Sequence, residues 1–103
     1  MALHPTRDQI DLIDVLAALG HPIRARMVRA LASGEEMACG LVMPEVPKST
    51  QTGHWRVLRE SGLVWERSQG RNNFKRLRLD DINARFPGLL DLVFAEDREL
   101  TGP

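Results

Sequence analysis

The sequence has a single cysteine, Cys39, among its 103 residues. A lone thiol forms no internal disulfide, so the fold has no covalent staple, and a reduced, cytoplasmic setting is the expectation. No apolar run approaches the roughly 20 residues that a membrane span needs. The first residues, MALHPTRDQI, lack the basic start and apolar core of a secretory signal. There is no internal repeat and no low-complexity linker. Paired carboxylates, a Ser-His-Asp order, a phosphate loop and a nucleotide fingerprint are all missing at useful spacing, so neither an enzyme nor a cofactor is expected. Net charge is missing as well: 14 basic and 14 acidic residues give a formal charge of zero.

The distribution of that charge is another matter. Residues 1–47 carry 4 basic and 6 acidic side chains, residues 48–78 carry 8 and 2, and residues 79–103 carry 2 and 6. The middle block is therefore +6 between two acidic flanks. Such asymmetry is the electrostatic footprint of a polyanion-binding surface. A solvated basic face with no partner is the competing reading of charge alone.

The length fits one domain, residues 1–103, with a single core. Thr6 to Leu19 reads as an amphipathic helix with Ile10, Ile13, Leu16, Ala17 and Leu19 at helical spacing. Gly20 stops it. Pro22 suits the first position of a second helix, whose apolar stripe is Ile23, Met27, Val28, Ala30 and Leu31. A short third helix is expected from Met37 to Met43, followed by a turn bracketed by Pro44 and Pro47. A fourth helix should start near Ser49, an N-cap candidate, and end at Ser61-Gly62. LVWERS and FKRLRL flank QGRNN, the pattern of a β-hairpin with Arg71 at its tip. A helical turn near Ile82 to Phe86 and a last helix from Leu89 to Glu96 complete the chain, and the EDRELTGP tail should fray.

Helices three and four across a short proline-bounded turn have helix-turn-helix form, about residues 37–61. With a two-stranded wing at about 63–79, the fold class is mainly α with a small β-hairpin: a winged helix-turn-helix of about five helices. The fourth helix opens KSTQTGHWR. Gln51, Trp55 and Leu58 share an apolar-side face, while Ser49, Thr50, Thr52, Gly53 and Arg56 lie on or near the other. In this arrangement the N-terminal half of the second helix meets base edges in the major groove. Short hydroxyls donate or accept, glycine permits close approach, and Arg56 reaches a base or a phosphate. Lys48, Arg71 and Lys75 are candidates for phosphates, and His54 belongs to the same region. The strip LLDLVF is apolar enough to be covered by a second copy as well as by its own domain.

The segments ALGHPIRARMVRAL and CGLVMPEVPKSTQTGHWRVLRESGLVWERSQGR resemble the ArsR/SmtB family of bacterial winged-helix repressors, from about residue 15 to residue 80. The resemblance implies a homodimer joined through its first and last helices, here about 6–19 and 81–97. It also implies double-stranded operator DNA read by the fourth helix and released on a signal. Two departures stand out, one in the DNA-reading stretch and one in sensing. Gly53 replaces the first histidine of the family's Ser-His-His-Leu, which removes a side-chain base contact, so the operator sequence does not transfer. Trp55 is larger than the usual Leu or Phe at its place.

The second departure concerns sensing. Many family members hold metal through paired cysteines on the third helix, or through His and acidic residues on the last. Cys39 stands alone, the last region has carboxylates without histidine, and His4, His21 and His54 fall in separate elements. No metal site is expected, although Cys39 with His4 or His21, or ligands shared across a dimer, stay open. So does a small-molecule, metal or redox inducer. The alternative function is a winged-helix protein–protein interaction module without specific DNA binding; the +6 block speaks for DNA.

Overall fold

The computed structural model describes residues 4–96. Among them are six α-helices and three short strands: α1 Leu12–Leu19, α2 Pro22–Ala30, β1 Met37–Ala38, α3 Cys39–Val42, α4 Lys48–Ser61, β2 Val64–Gln69, β3 Asn72–Leu77, α5 Leu79–Arg85 and α6 Leu89–Ala95. A 3-10 turn, Arg7–Gln9, precedes them. The architecture is a winged helix-turn-helix. The fraying expected of the tail concerns residues 97–103, outside those described.

The N-terminal region differs from the single helix expected over 6–19. It starts twice. The Gln9 side chain accepts the Thr6 backbone N–H at 2.9 Å and closes the 3-10 turn. Ile10 is then extended (φ −68°, ψ 124°), and Asp11 caps α1 by accepting the Asp14 N–H at 3.3 Å. Ser/Thr/Asp followed three residues on by a partner occurs here twice in succession, and the helical spacing of the apolar residues concealed the break. The buried face changes with it: Val15 and Ala18 face the core, whereas Ile13 is 67% exposed and Leu16 44%.

Gly20 and Pro22 act as expected, with His21 as N-cap: its Nδ1 accepts the Ile23 N–H at 3.1 Å. Arg24 donates to the carbonyls of Ala18 (2.7 Å) and Ala17 (3.3 Å), satisfying the C-terminal end of α1 with a cation. Helix α4 ends at Gly62 in the left-handed region (φ 91°), with Leu63 N–H donating to Leu58 O at 3.1 Å. Gly62 is required for space too, because a Cβ there would lie 2.5 Å from Ile10 Cγ1.

The wing is a three-stranded antiparallel sheet in the order β1-β3-β2, not a two-stranded hairpin. Met37 and Ala38, expected to open the third helix, instead pair with Lys75 and Phe74. A strand of two residues carries no readable alternation, so its period could not be seen in sequence. The hairpin register runs from Val64 opposite Leu77 to Gln69 opposite Asn72, which leaves Gly70 and Arg71 as a two-residue loop. Gly70 has φ 61° and no described non-glycine residue has a positive φ, so only the first loop position has positive φ, as a II′ turn needs. Helix α5 starts earlier than expected, at Leu79, with Asp80 and Asp81 inside its first turn rather than capping it.

The core is one cluster to which α1 (Val15, Ala18), α2 (Met27, Val28), α4 (Trp55, Leu58), the wing base (Leu63, Val64, Leu77), α5 (Ile82) and α6 (Leu90) all contribute. Helix α4 packs on α1, α2 and β2. Its remaining face, with the wing beside it, points outward.

Candidate nucleic-acid interface

Helix α4 begins one residue earlier than expected. Pro47 is the N-cap and makes no side-chain cap hydrogen bond; Lys48 and Ser49 are in the first turn. Ser49 therefore does not cap the helix. Its hydroxyl is exposed, together with Lys48, Thr50, Thr52, Gly53 and Arg56. The opposite face is anchored by a buried polar residue. Gln51, 4% exposed, donates from Nε2 to the carbonyls of Met43 (2.7 Å) and Val46 (2.9 Å). Its Oε1 accepts the Trp55 indole N–H at 3.1 Å. One side chain thus ties α4 to the turn that joins it to α3, and the polar face is held at a set angle by groups that cannot exchange with water without loss.

The exposed face has defined chemistry. Thr52 Oγ1 donates to Lys48 O at 3.0 Å, which uses its proton and leaves its lone pairs outward as acceptors. A Cβ at Gly53 would meet nothing within 4 Å. The protein's own packing does not call for glycine there, although glycine inside a helix costs about 1 kcal/mol relative to alanine. Arg56 pairs with Glu60 at 3.3 Å across one turn, both side chains more than half exposed. An exposed pair of this kind is worth at most about 1 kcal/mol and opens easily.

Two expected contacts are placed elsewhere. His54 is half-buried and turned toward α2: its ring centroid lies 4.5 Å from that of His21, and its Nδ1 is 3.2 Å from Arg24 Nη1. Burial first, then the charges of His21 and Arg24, hold its pKa below the usual histidine value, so the ring stays neutral and accepts from the guanidinium. Spacing puts residue 54 beside the polar face, but this edge of α4 meets α2. Lys75 is 3% exposed. Its ammonium is bound to Glu66 and lies 5.0 Å from the Trp55 ring centroid. It sits on the sheet face that covers α4, at the floor of the cleft described next, with its charge committed to Glu66 rather than free for a phosphate.

Arg71 stays at the exposed loop tip. Between α4 and the wing lies a cleft of about 460 Å³ whose lining includes Cys39, Lys48, Thr52, Arg56, Arg59 and Asn73, with Lys75 and the carboxylates of Glu60 and Glu66 among the rest. Asn73 and its cross-strand partner Ser68, whose hydroxyl donates to Asn73 Oδ1 at 2.6 Å, face this side and were not singled out from sequence. The signal was available: residues 73 and 75 share a strand face by the period of two. Gln51 was recognised only as part of an apolar-side face, and nothing in the sequence showed which carbonyls it would reach.

For metal, the described residues bring together no group of three His, Cys, Asp or Glu side chains. His4 Nε2 accepts the Glu66 backbone N–H at 3.0 Å, His21 packs against His54 with their rings tilted by 50°, and Cys39 is half-buried. The candidate set of Cys39 with His4 or His21 is not assembled within these residues. No described helix is long and apolar enough to cross a membrane.

A winged helix-turn-helix with an exposed, hydroxyl-rich second helix and a basic wing tip defines a nucleic-acid-binding protein. Comparison with known proteins agrees. A family profile for a helix-turn-helix domain matches residues 19–67. Over 96 residues the chain is 33% identical to the uncharacterized HTH-type transcriptional regulator YceK of Bacillus subtilis (strain 168), covering 90% of this chain and 95% of that one. Among solved structures, a possible transcriptional regulator for arsenical resistance matches with a TM-score of 0.62 at 33% identity, over 85% of this chain and 94% of the other. The transcriptional repressor BigR from Xylella fastidiosa matches with a TM-score of 0.59 at 27% identity, over 73% and 85%. The chain belongs to the ArsR/SmtB family of regulators and is a DNA-binding transcriptional regulator.

Proposed function

We propose that the chain acts as a homodimeric repressor in the cytoplasm, placing each α4 in the major groove of a two-fold operator. Ser49, Thr50 and Thr52 meet base edges, Gly53 lets the helix backbone come close, and Arg56 leaves Glu60 for a base or phosphate. Lys48 and Arg71 hold phosphates on either side. The observation that carries this reading is the outward face of α4, where hydroxyls, a glycine above open space and two basic side chains stand together with no internal use for that combination. The work is binding rather than catalysis. His54 and Lys75 have no direct part, because both are engaged inside the protein.

Support for a dimer comes from apolar side chains left on the surface. Leu12 (41%), Ile13 (67%) and Leu16 (44%) on α1, and Leu92 (63%) on α6, are exposed on the helices where the family resemblance puts the interface. Sedimentation of Ile13→Glu and Leu92→Glu tests this; both should run as monomers, and a parent that is itself monomeric at micromolar concentration refutes the dimer. DNA recognition is tested by fluorescence anisotropy on the fragment upstream of the gene, against random DNA of equal length, at several salt concentrations and with zinc, nickel or an oxidant added. Binding restricted to the upstream fragment supports the reading, and an additive that releases it names the class of inducer. Equal weak binding to both fragments counts against it and toward a protein partner.

A further inference from the structure

The buried polar groups between α4 and the wing form one continuous chain. Gln51 holds the turn carbonyls of Met43 and Val46 and accepts from Trp55. Trp55 carries the Lys75 ammonium 5.0 Å from its ring centroid. Lys75 binds Glu66, directly opposite it in the hairpin register. Arg59 of α4 reaches the same carboxylate at 3.2 Å, and His4 accepts the Glu66 backbone N–H on the outer edge of β2. Glu66 is therefore touched by α4, by β3 and by the N-terminal segment at once.

A cluster of this kind is a poor way to gain stability. Lys75 is 3% exposed, and the desolvation of a buried ion pair commonly cancels its attraction, so apolar side chains of similar size would hold the core as well. What the pair supplies is direction. A methionine at position 75 could pack against Trp55 in several ways; an ammonium bound to Glu66 and over the indole has one seat. Apolar packing joins α4 to the sheet chiefly at the base of β2, and such contacts fix direction less sharply than an ion pair.

We infer that Glu66 and Lys75 are positioning residues for DNA recognition: they fix the wing against α4 so that Arg71 and the outward face of α4 engage one DNA site together. This rests on the reading that α4 and the Arg71 tip both contact DNA. It also gives Lys75 a role opposite to a phosphate contact.

The test is a double-mutant cycle on the upstream DNA fragment, with Glu66→Gln, Arg71→Ala and the double variant measured by anisotropy, and near-UV circular dichroism to establish folding. Electrostatics alone predicts that removing the Glu66 charge tightens binding to a polyanion. Positioning predicts that Glu66→Gln weakens it about threefold or more, and that Arg71→Ala then costs at least about threefold less than in the parent, since coupled sites depart from additivity by such factors. Lys75→Met, which keeps the volume, should behave the same way and serves if Glu66→Gln folds poorly. A merely structural role would lower the thermal midpoint and leave the Arg71 factor unchanged, which overturns the inference. So does unchanged or tighter binding by Glu66→Gln. If Arg71→Ala binds as the parent while Arg56→Ala does not, the wing has no DNA contact and the positioning role falls, while the reading of α4 stands.

Discussion

Replacing Gln51 by leucine should cost far more than its place on a DNA-binding helix suggests. Leucine is one atom shorter but of comparable bulk and does not lower helix propensity, so the loss comes chiefly from hydrogen bonds. Three disappear: two to the carbonyls of Met43 and Val46 and one from the Trp55 indole. At about 1 kcal/mol net for each, the loss is about 3 kcal/mol. Met43 is 4% exposed and Trp55 3%, so two of the abandoned partners stay dry, which adds to that figure, while the added apolar area of leucine returns about 1 kcal/mol. The expected cost is about 2–4 kcal/mol, a large part of the 5–15 kcal/mol typical of a domain. Urea unfolding at fixed protein concentration, followed by the fluorescence of Trp55 and Trp65, reads it as a lower midpoint at unchanged slope. Trp55→Phe removes one of the same bonds. The double variant should therefore fall short of additivity by about 1 kcal/mol. A Gln51→Leu protein within about 0.5 kcal/mol of the parent would refute the argument, because it would mean that the turn carbonyls find other partners and that α4 is not anchored through this side chain.

Two glycines should respond in opposite directions. Gly62→Ala forces a Cβ into the left-handed region and 2.5 Å from Ile10 Cγ1, costing about 3 kcal/mol, whereas Gly53→Ala adds a Cβ to open space inside a helix and should raise stability by roughly 0.5–1 kcal/mol while weakening DNA binding; urea midpoints and anisotropy separate the two. Lower pH should destabilise the fold. The His4 pKa is lowered by burial, then by Arg78 and Arg59, and that of His54 by burial, His21 and Arg24. Below about 6.5 the unfolded chain then binds more protons than the native one, and stability falls until the native values are reached. Glu66 and Asp81 act at still lower pH. Burial pushes both carboxyls up, but the hydrogen bonds and charges of Lys75 and Arg59, and of Arg7 and Arg78, outweigh it, so their contribution is present above 4.5 and 3.8 and lost as pH falls through the native values. The thermal midpoint should therefore drop between about pH 7.5 and 5.5, and His4→Gln and His54→Gln should flatten that change. For DNA, Lys48, Arg56 and Arg71 from each half of a dimer imply a slope of about −5 in log K against log salt if all six reach phosphates, and Arg71→Ala should reduce it by about 2 while weakening all sequences alike.

Much of the fold was legible because local signals and global packing agreed. Gly20-His21-Pro22, Ser61-Gly62 and Gly70-Arg71 mark boundaries through backbone rules that tertiary contacts did not override. The failures share one cause. Residues 6–19 carry helical spacing throughout, yet Thr6 with Gln9 and Asp11 with Asp14 offer two starts, and the chain uses both. Met37-Ala38 becomes a strand only because β3 presents a free edge to it, a contact that joins residues far apart in sequence. His54 and Lys75 carry groove-compatible chemistry at groove-compatible spacing; their burial is decided by which edge of α4 meets α2 and by which sheet face covers α4, and neither is a property of a local window.

The same limit applies to charge. The +6 of residues 48–78 pointed to the right partner, but four of its eight basic side chains are held in ion pairs away from the proposed DNA face. Arg59 and Lys75 share Glu66, Arg67 binds Glu36 at 2.7 Å, and Arg78, its side chain 1% exposed, binds Asp81 and lies 3.7 Å from the centre of the Trp65 ring. Glu36 and Asp81 lie outside the block, so a segment count cannot include them. What remains outward on the proposed face is Lys48 and Arg71, with Arg56 held only by an exposed pair. The basic block therefore does two separate things. Arg59 and Lys75 tie the wing to α4 through Glu66, and in the proposed reading the exposed members supply the attraction to phosphate. A face with so little uncommitted charge gains little from nonspecific attraction, so the proposed reading puts more of the binding on the hydroxyls of α4 and on a second copy.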